Sequence, residues 1–205
     1  MYLAQWKKSA FVAGHPILDF LNTVDSECRT NDCNRLTSHE ALAAWCQIAG
    51  VITPSEASRI ATTAIASPAQ AEQVLKALIA WRETVHRALT AILRQELVAA
   101  EDWFAIETAV KNAVIGASLN RDTAGITDWQ VISVDLTTIQ NRLALHLIAL
   151  LGSKLVAKLK KCEGCTWLFV DTSKNHRRRW CVMSTCGSRC KAQRFRQGNG
   201  LSQRG

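Results

Sequence analysis

Apolar residues recur at intervals of three and four along most of the chain, which is the spacing that places them on one face of an α-helix. Capping signals mark several starts, and two of them have a proline at the first helical position. In chain order, the predicted helices lie within residues 14–24, from about 37 to 50, after the capping box Thr53-Pro54-Ser55-Glu56, from Pro68 to about 98, over about 102–114, and from Asp135 or Thr137 to about 158.

Residues 115–134 have a different pattern, because their apolar residues stand among Gly, Asn and Asp. This composition indicates a short β-hairpin. Elsewhere the chain is rich in Ala and Leu and has only ten Gly and three Pro, which favours helices over a turn-rich sheet. The first 160 residues are therefore expected to form a mainly helical domain that contains one short hairpin.

Two pairs of cysteines near the C-terminus have the spacing of a metal site, namely C-x2-C, fifteen residues, and C-x4-C. They are Cys162, Cys165, Cys181 and Cys186. Close pairs of this kind bring four sulfur atoms to one centre, where thiolates bind Zn²⁺ tetrahedrally. Four thiolates leave no open coordination position, so one structural zinc ion is expected. Cys190 and His176 stay open as substitutes for one of the four ligands.

A hairpin and a helix are expected around this zinc ion. Residues 166–171 read as a strand, 172–176 as a polar turn, and 177–181 as the returning strand. Ser184 is expected to cap a helix that runs to about Gln197. The aromatic residues expected around the metal are Trp167, Phe169, Trp180 and Phe195. The fold class expected for the whole chain is mainly α, with a helical N-terminal domain, a short hairpin, and a small treble-clef-like C-terminal zinc finger.

The excess charge of the protein lies in the same stretch as the four cysteines. Residues 161–205 contain ten Lys and Arg residues against two carboxylates, a net of +8, whereas residues 1–160 are neutral overall. Surface charge usually serves solvation, but a compact module with a concentrated positive field is typical of nucleic-acid-binding proteins. We therefore divide the chain into a helical domain (1–160), a finger (161–197) and a flexible tail (198–205).

The chain has no run of eighteen apolar residues, and its first fourteen residues lack the apolar segment of a signal peptide. A cytoplasmic location without membrane contact is therefore expected. In a reducing compartment the remaining cysteines are expected to be buried or free thiols, and these are Cys28, Cys33, Cys46 and Cys190. The sequence lacks the motifs of serine hydrolases, P-loop NTPases and zinc proteases, so no enzymatic activity is expected.

The C-terminal residues resemble a bacterial family, the CGNR zinc-finger proteins. The likeness rests on the C-x2-C pair, on Arg178-Arg179-Trp180-Cys181, and on Cys186-Gly187-Ser188-Arg189 followed by Lys191. Ser188 stands where the family has Asn. Residues 14–23, Gly-His-Pro-Ile-Leu-Asp-Phe-Leu-Asn-Thr, resemble the opening of the helical ABATE domain that precedes this finger. Members are regarded as stress-induced transcription regulators, which implies such a role here.

The expected function is a transcription regulator that binds double-stranded DNA, with a small-molecule effector in the helical domain and a homodimer as the default assembly. The expected DNA contacts are Arg177, Arg178, Arg179, Arg189, Lys191, Arg194 and Arg196. The residues expected to line an effector pocket are Asp19, Asn22, Arg82 and Arg142. The alternative is a zinc-stabilised protein-interaction or RNA-binding module, in which Trp167 or Phe169 would be exposed.

Overall fold

The computed structural model describes Trp6 and residues 10–25, 27–121, 123 and 127–201. Its helices are α1 (Pro16–Leu21), α2 (His39–Ile48), α3 (Pro54–Ala66), α4 (Pro68–Leu93), α5 (Ala100–Ile115), α6 (Thr138–Leu151) and α7 (Ser188–Leu201). Its strands are β1 (Ala117–Arg121), β2 (Thr127–Val131), β3 (Leu159–Lys161) and β4 (Leu168–Val170). Single turns of 3-10 helix occupy Asn31–Cys33 and Val156–Lys158, and a π-helical turn occupies Met183–Gly187. The predicted mainly α class is confirmed.

The short helix α1 lies at the centre of the buried core. It contacts α4, α6 and β4, and Ile17, Leu18, Phe20 and Leu21 are completely buried. Pro16 suits its first turn, where a backbone N–H would have no helical partner. A helix of six residues has little stability of its own. Packing on several sides therefore holds α1 in place.

One apolar core extends from the helices into the C-terminal segment. Leu168, Phe169 and Val170 of β4 belong to the same buried cluster as α1, and β3 packs against α4. The boundary that the sequence predicts at residue 160 falls inside β3. At the other end, α7 continues to Leu201, past its expected end, and residues 202–205 of the predicted tail lie outside the described residues.

Two helices end earlier than their apolar patterns predict. The helix α4 ends at Leu93 rather than near residue 98, because Gln95 takes a left-handed backbone conformation with φ of 58°. The helix α6 ends at Leu151 rather than near 158, because the Ser153 hydroxyl donates to the Leu150 carbonyl and turns the chain. Within the described residues, no helix has both the length and the apolar composition needed to cross a membrane.

The first hairpin agrees with the sequence, and the second does not. Strands β1 and β2 pair antiparallel with Leu119 opposite Trp129, as the pattern of residues 115–134 predicts. In the C-terminal segment, however, β4 pairs with β3, whereas residues 177–181 form no strand. The C-x2-C turn folds β3 back onto β4, and the backbone of residues 177–181 makes other bonds. This returning strand was therefore wrongly predicted.

The short connection before α2 also differs from the prediction. Cys28 and Cys33 are paired as a disulfide with their Cα atoms 6.2 Å apart, a separation normal for such a bond. The 3-10 turn that ends at Cys33 brings the two thiols together. The expectation that both are free is corrected, while Cys46 and Cys190 are free thiols.

Candidate metal centre and basic surface

The first cysteine pair lies in the tight turn between β3 and β4. The Cys162 N–H donates to the Trp167 carbonyl at 2.9 Å, which closes the turn. Two further N–H groups point at sulfur: Gly164 N lies 3.4 Å from Cys162 Sγ, and Trp167 N lies 3.5 Å from Cys165 Sγ. A side chain at Gly164 would meet Cys190 Sγ at 2.9 Å, so the turn requires glycine there. The backbone thus aims both sulfur atoms at one centre.

The second pair completes a compact group of four sulfur atoms. Cys181 Sγ lies 3.6 Å from both Cys165 Sγ and Cys186 Sγ, and all four Sγ atoms lie within 4.8 Å of one another. A tetrahedral zinc ion with Zn–S bonds of about 2.3 Å would separate its ligands by about 3.8 Å. The Cys181 N–H also donates to Cys162 Sγ at 3.2 Å. The four thiols therefore fit a tetrahedral zinc site.

The electrostatics of the cluster agree with a bound cation. The pKa of Cys162 is held well below its usual range, because its sulfur accepts hydrogen bonds from Cys165, from Cys181 and from backbone N–H groups. The pKa of Cys165 is raised to about 12, and that of Cys181 is raised further, chiefly by their bonds to the same thiolate. Without a cation, the negative charge is thus favoured on Cys162 and disfavoured on Cys165 and Cys181. A divalent cation supplies the charge that four thiolates need.

Neither Cys190 nor His176, the two possible substitute ligands, belongs to the cluster of four sulfur atoms. Cys190 is half-buried and lies beside Gly164, outside the described group of four. His176 has a φ of 48°, and its Nδ1 lies 2.9 Å from the Asp171 carbonyl. That contact ties His176 to the turn after β4.

Asp171 organises the segment that leads to the third cysteine. It is completely buried and accepts from Lys160 Nζ at 2.7 Å, from Ser173 Oγ at 2.6 Å and from Arg178 N at 2.9 Å. Burial acts to raise the pKa of Asp171, but the ammonium group and these hydrogen bonds outweigh it and hold the pKa well below its usual range. No spacing rule links Lys160 to Asp171, so sequence analysis missed this pair.

The cysteine-bearing segment is bonded to the helical core by buried groups. Asn22 Nδ2 donates to the Leu168 carbonyl at 2.9 Å, and its Oδ1 accepts from Leu168 N at 3.1 Å. Trp167 Nε1 donates to the Val24 carbonyl at 3.1 Å. The Val170 N–H donates to the Ala13 carbonyl at 2.7 Å. The chain before α1 and the end of α1 thus act as a partner for β4.

Three of the seven predicted DNA contacts are held by other parts of the chain. Arg178 donates to the carbonyls of Val12, Trp180 and Cys181, and its guanidinium lies 4.4 Å from the centre of the Phe169 ring. Arg179 pairs with Glu163 through two hydrogen bonds. Arg189 pairs with Glu27 and donates to the Gly164 carbonyl at 2.6 Å. These bonds support the metal centre and its junction with the helices.

The other four predicted contacts are exposed cations. Arg177 lies in the segment before Cys181, and Lys191, Arg194 and Arg196 lie on α7. Arg194 Nη2 is 3.9 Å from Glu163, a distance that leaves the pair weak at the surface. Lys191 and Arg196 have no ion-pair partner in the described part of the chain. Three of these four exposed cations thus lie on α7.

The four predicted pocket residues do not line one common pocket. Asp19 accepts from the Ala13 N–H at 2.9 Å, and Asn22 binds β4 as described above. Arg82 is 2% exposed and donates to Thr23 and Asn34. These three residues therefore bond within the core and are not brought together with Arg142.

Arg142 pairs with Glu56 and donates to the Val51 carbonyl at 2.7 Å. Of the four predicted pocket residues, it is the one that lines a cleft of about 750 Å³ between β2 and α6. His146 and Trp129 line the same cleft. Arg142 and His146, four residues apart on α6, therefore lie at one cavity.

Asp19 should give the stability a pH dependence. Burial raises its pKa to about 6, although the Ala13 N–H bond opposes the shift, whereas an unfolded chain has an Asp pKa near 3.9. A raised folded pKa contributes stability fully below about pH 4, and the contribution is lost as the pH rises through 6. Asp19→Asn keeps the acceptor and cannot ionise.

The difference in free energy of unfolding between Asp19→Asn and the wild type should therefore shift in favour of the variant by about 1–2 kcal/mol between pH 5 and pH 8. Urea denaturation at both pH values measures it. A difference that stays constant would show that Asp19 does not titrate in this window.

Two protein-family models match the chain, one over its helical segment and one over its C-terminal segment. The model of the CGNR zinc finger matches residues 158–198, which contain the four clustered cysteines. The ABATE model, described as "Putative stress-induced transcription regulator", matches residues 14–154. No curated protein matches the chain. The finger match and the cysteine cluster together support one structural zinc ion. The chain thus belongs to the ABATE family and carries a CGNR zinc finger at its C-terminal end.

Proposed function

We propose that this protein is a transcription regulator whose zinc finger presents α7 to double-stranded DNA, with Cys162, Cys165, Cys181 and Cys186 as the zinc ligands. One observation carries the proposal. The fourteen residues of α7 include four cations and no carboxylate, and its described side chains beyond Cys190 are all exposed. A surface of this kind attracts the phosphates of nucleic acid.

The zinc centre gives α7 a fixed position relative to the helical core. Cys186 lies in the turn directly before α7, and Cys162 and Cys165 lie in a hairpin that is bonded to α1. A helix held in a fixed position loses less entropy on binding, because fewer groups must be ordered at the interface. The contacts of Arg178 and Arg189 help to fix this position. Lys191, Arg194 and Arg196, in contrast, are available to phosphate oxygens.

Duplex binding across a salt series tests the proposal. Each phosphate contact contributes a slope of about −0.9 to the plot of log association constant against log salt concentration. Wild-type protein is expected to give a slope between about −3 and −6, and its affinity should fall on the order of a hundredfold or more from 50 to 200 mM salt.

The double variant Lys191→Ala/Arg196→Ala should give a slope shallower by roughly two, whereas Lys111→Ala, on the exposed surface of α5, should match the wild type. Fluorescence anisotropy with a labelled duplex measures both quantities. A wild-type affinity that does not respond to salt would contradict the proposal.

A second candidate, single-strand or RNA binding, is favoured by one residue. Phe195 is 69% exposed between Arg194 and Arg196, and an exposed aromatic ring among cations can stack on unpaired bases. The aromatic residues that sequence analysis assigned to this role, Trp167 and Phe169, are buried. Phe195 itself is not packed around the metal as predicted. Tighter binding to single strands than to a duplex of equal length would select this candidate.

We extend the proposal to the helical domain and to the assembly. The cleft beside Arg142 is the place that we assign to a small-molecule effector, because it combines a cation with aromatic and apolar walls. A homodimer is proposed because one small finger buries little surface on DNA. A cytoplasmic location follows from the same role.

A further inference from the structure

A basic groove of about 410 Å³ lies between the C-terminal end of α4 and the β3–β4 hairpin. Its apolar wall includes Leu93 and Leu159. Five cations and one carboxylate also line it: Arg94, Lys160, Lys161, Arg178, Arg179 and Glu163. The groove is therefore lined by an excess of cations, and α4 of the ABATE segment forms one side of it.

Two of the five cations are available to a ligand. Lys160 is bonded to Asp171, and Arg178 is bonded to backbone carbonyls. Arg94 has a side chain that is 58% exposed, and its guanidinium lies 3.9 Å from Glu96, a distance that makes for a weak surface pair. Lys161 is exposed and has no ion-pair partner within the described residues. Arg94 and Lys161 therefore line the groove with hydrogen-bond donors that are available to a ligand.

The groove is continuous with the basic surface of α7. Glu163 pairs with Arg179 on the side of the groove and lies 3.9 Å from Arg194 of α7 on the other. One carboxylate thus stands between two groups of cations that would otherwise form a single positive surface. A polyanion that follows this surface would pass from α7 into the groove and would compete with Glu163 for Arg179.

We propose that this groove binds the sugar–phosphate backbone of the same DNA duplex that α7 contacts, with Arg94 and Lys161 as its phosphate ligands. The inference rests on the proposed function and adds a contact from the helical domain to it. It makes the DNA interface span both family segments, so that the position of α4 against the finger affects affinity. The partner chemistry is a phosphodiester, which cations recognise without reading base sequence.

The test compares Arg94→Ala/Lys161→Ala with Lys76→Ala in the duplex salt series. Lys76 is an exposed cation on the same helix, eighteen residues earlier and therefore about 27 Å from the groove. The double variant is expected to lose affinity by about tenfold at low salt and to give a slope shallower by roughly two. Lys76→Ala should keep the wild-type slope. Thermal unfolding of each variant separates a binding effect from loss of stability, since Arg94 also caps the C-terminal end of α4.

Glu163→Gln, in the same groove, should change the duplex affinity in the opposite direction. It removes the carboxylate with little change in shape and releases Arg179, so duplex affinity should rise by about threefold to tenfold. Unchanged or weaker binding by Glu163→Gln would overturn the inference.

If the wild type binds DNA with a steep slope and Arg94→Ala/Lys161→Ala behaves like Lys76→Ala, the groove is not part of the interface and the proposed function stands. If the wild type itself lacks salt-dependent duplex binding, the proposed function and the groove fail together.

Discussion

Replacement of Cys165 by serine is expected to remove zinc from the protein and to unfold the segment around the metal centre. Three thiols would remain, and a serine hydroxyl is a poor substitute for a thiolate at a zinc site. Structural zinc supplies on the order of 10 kcal/mol or more of apparent binding free energy in small fingers. The C-x2-C turn and the turn before α7 bury few apolar groups of their own, so they cannot compensate for such a loss.

The structure limits how far this unfolding should spread. The core around α1 contains side chains from α2, α4, α5 and α6, which do not depend on the metal. Hydrogen exchange should therefore show loss of protection over residues 162–167 and 171–187, while the amides of α4 and α5 remain protected. Strand β4 is the intermediate case, since Asn22 and Ala13 hold it to the helical core. Metal analysis of the purified variant should give well under one zinc per chain.

Cys190→Ser is the matched control for this experiment. Cys190 is a free, half-buried thiol close to the centre but outside the group of four. It should retain one zinc per chain and wild-type exchange. A zinc-loaded, fully protected Cys165→Ser protein would show that the ligand set is wrong, and loss of zinc from Cys190→Ser would place Cys190 among the ligands.

Asn22→Leu is expected to have the second largest effect, on stability rather than on metal content. Asn22 is 2% exposed, and its amide bonds both the N–H and the carbonyl of Leu168. Leucine has a similar size and shape, but its side chain can neither donate nor accept a hydrogen bond. Two buried backbone groups would then be unpaired, at a cost of about 1–3 kcal/mol each, so the free energy of unfolding should fall by about 2–6 kcal/mol.

Urea denaturation measures this loss, and Asn112→Leu is its control, because Asn112 is an exposed asparagine on α5. Surface substitutions usually change stability by no more than about 0.5 kcal/mol. Zinc content should stay at one per chain in both variants. If Asn22→Leu were no less stable than Asn112→Leu, the amide would not be what joins α1 to β4.

Local signals in the sequence predicted the elements that depend on neighbouring residues. The capping box at Thr53 and Glu56 forms as expected, because both partners lie within one turn. The hairpin of β1 and β2 follows from turn residues between apolar ones. The four cysteines were predicted from spacing alone, because a tetrahedral metal centre restricts both the type of ligand and its separation along the chain.

Contacts between distant segments were beyond such reasoning. Asn22 was assigned to a polar pocket because it lies on a less apolar face of the first predicted helix, but its partner is Leu168, 146 residues further along the chain. Pairing of β3 with β4 was missed because Leu-Lys-Lys at 159–161 looks like the basic end of a helix. Periodicity gives the face on which a residue lies and does not give the segment that covers that face.

The charge pattern was informative about location and less so about individual residues. Sequence analysis placed the net positive charge on the finger, where the cations of α7 are exposed. It did not separate Arg178, whose donors bind backbone carbonyls, from Lys191, which faces solvent. It also did not place Arg94 beside the finger, because α4 is distant in sequence from the finger and meets it only in the fold.

Duplex binding of the wild type and of Cys165→Ser, measured in parallel across the same salt series, tests the central claim most directly. The claim is that zinc fixes the conformation of the basic surface that binds DNA. The zinc-loaded wild type should bind with a steep slope, and the zinc-free variant should bind at least about tenfold more weakly with a shallower slope. Equal affinity and equal slope for the two proteins would contradict the claim, because the surface would then not depend on the metal centre.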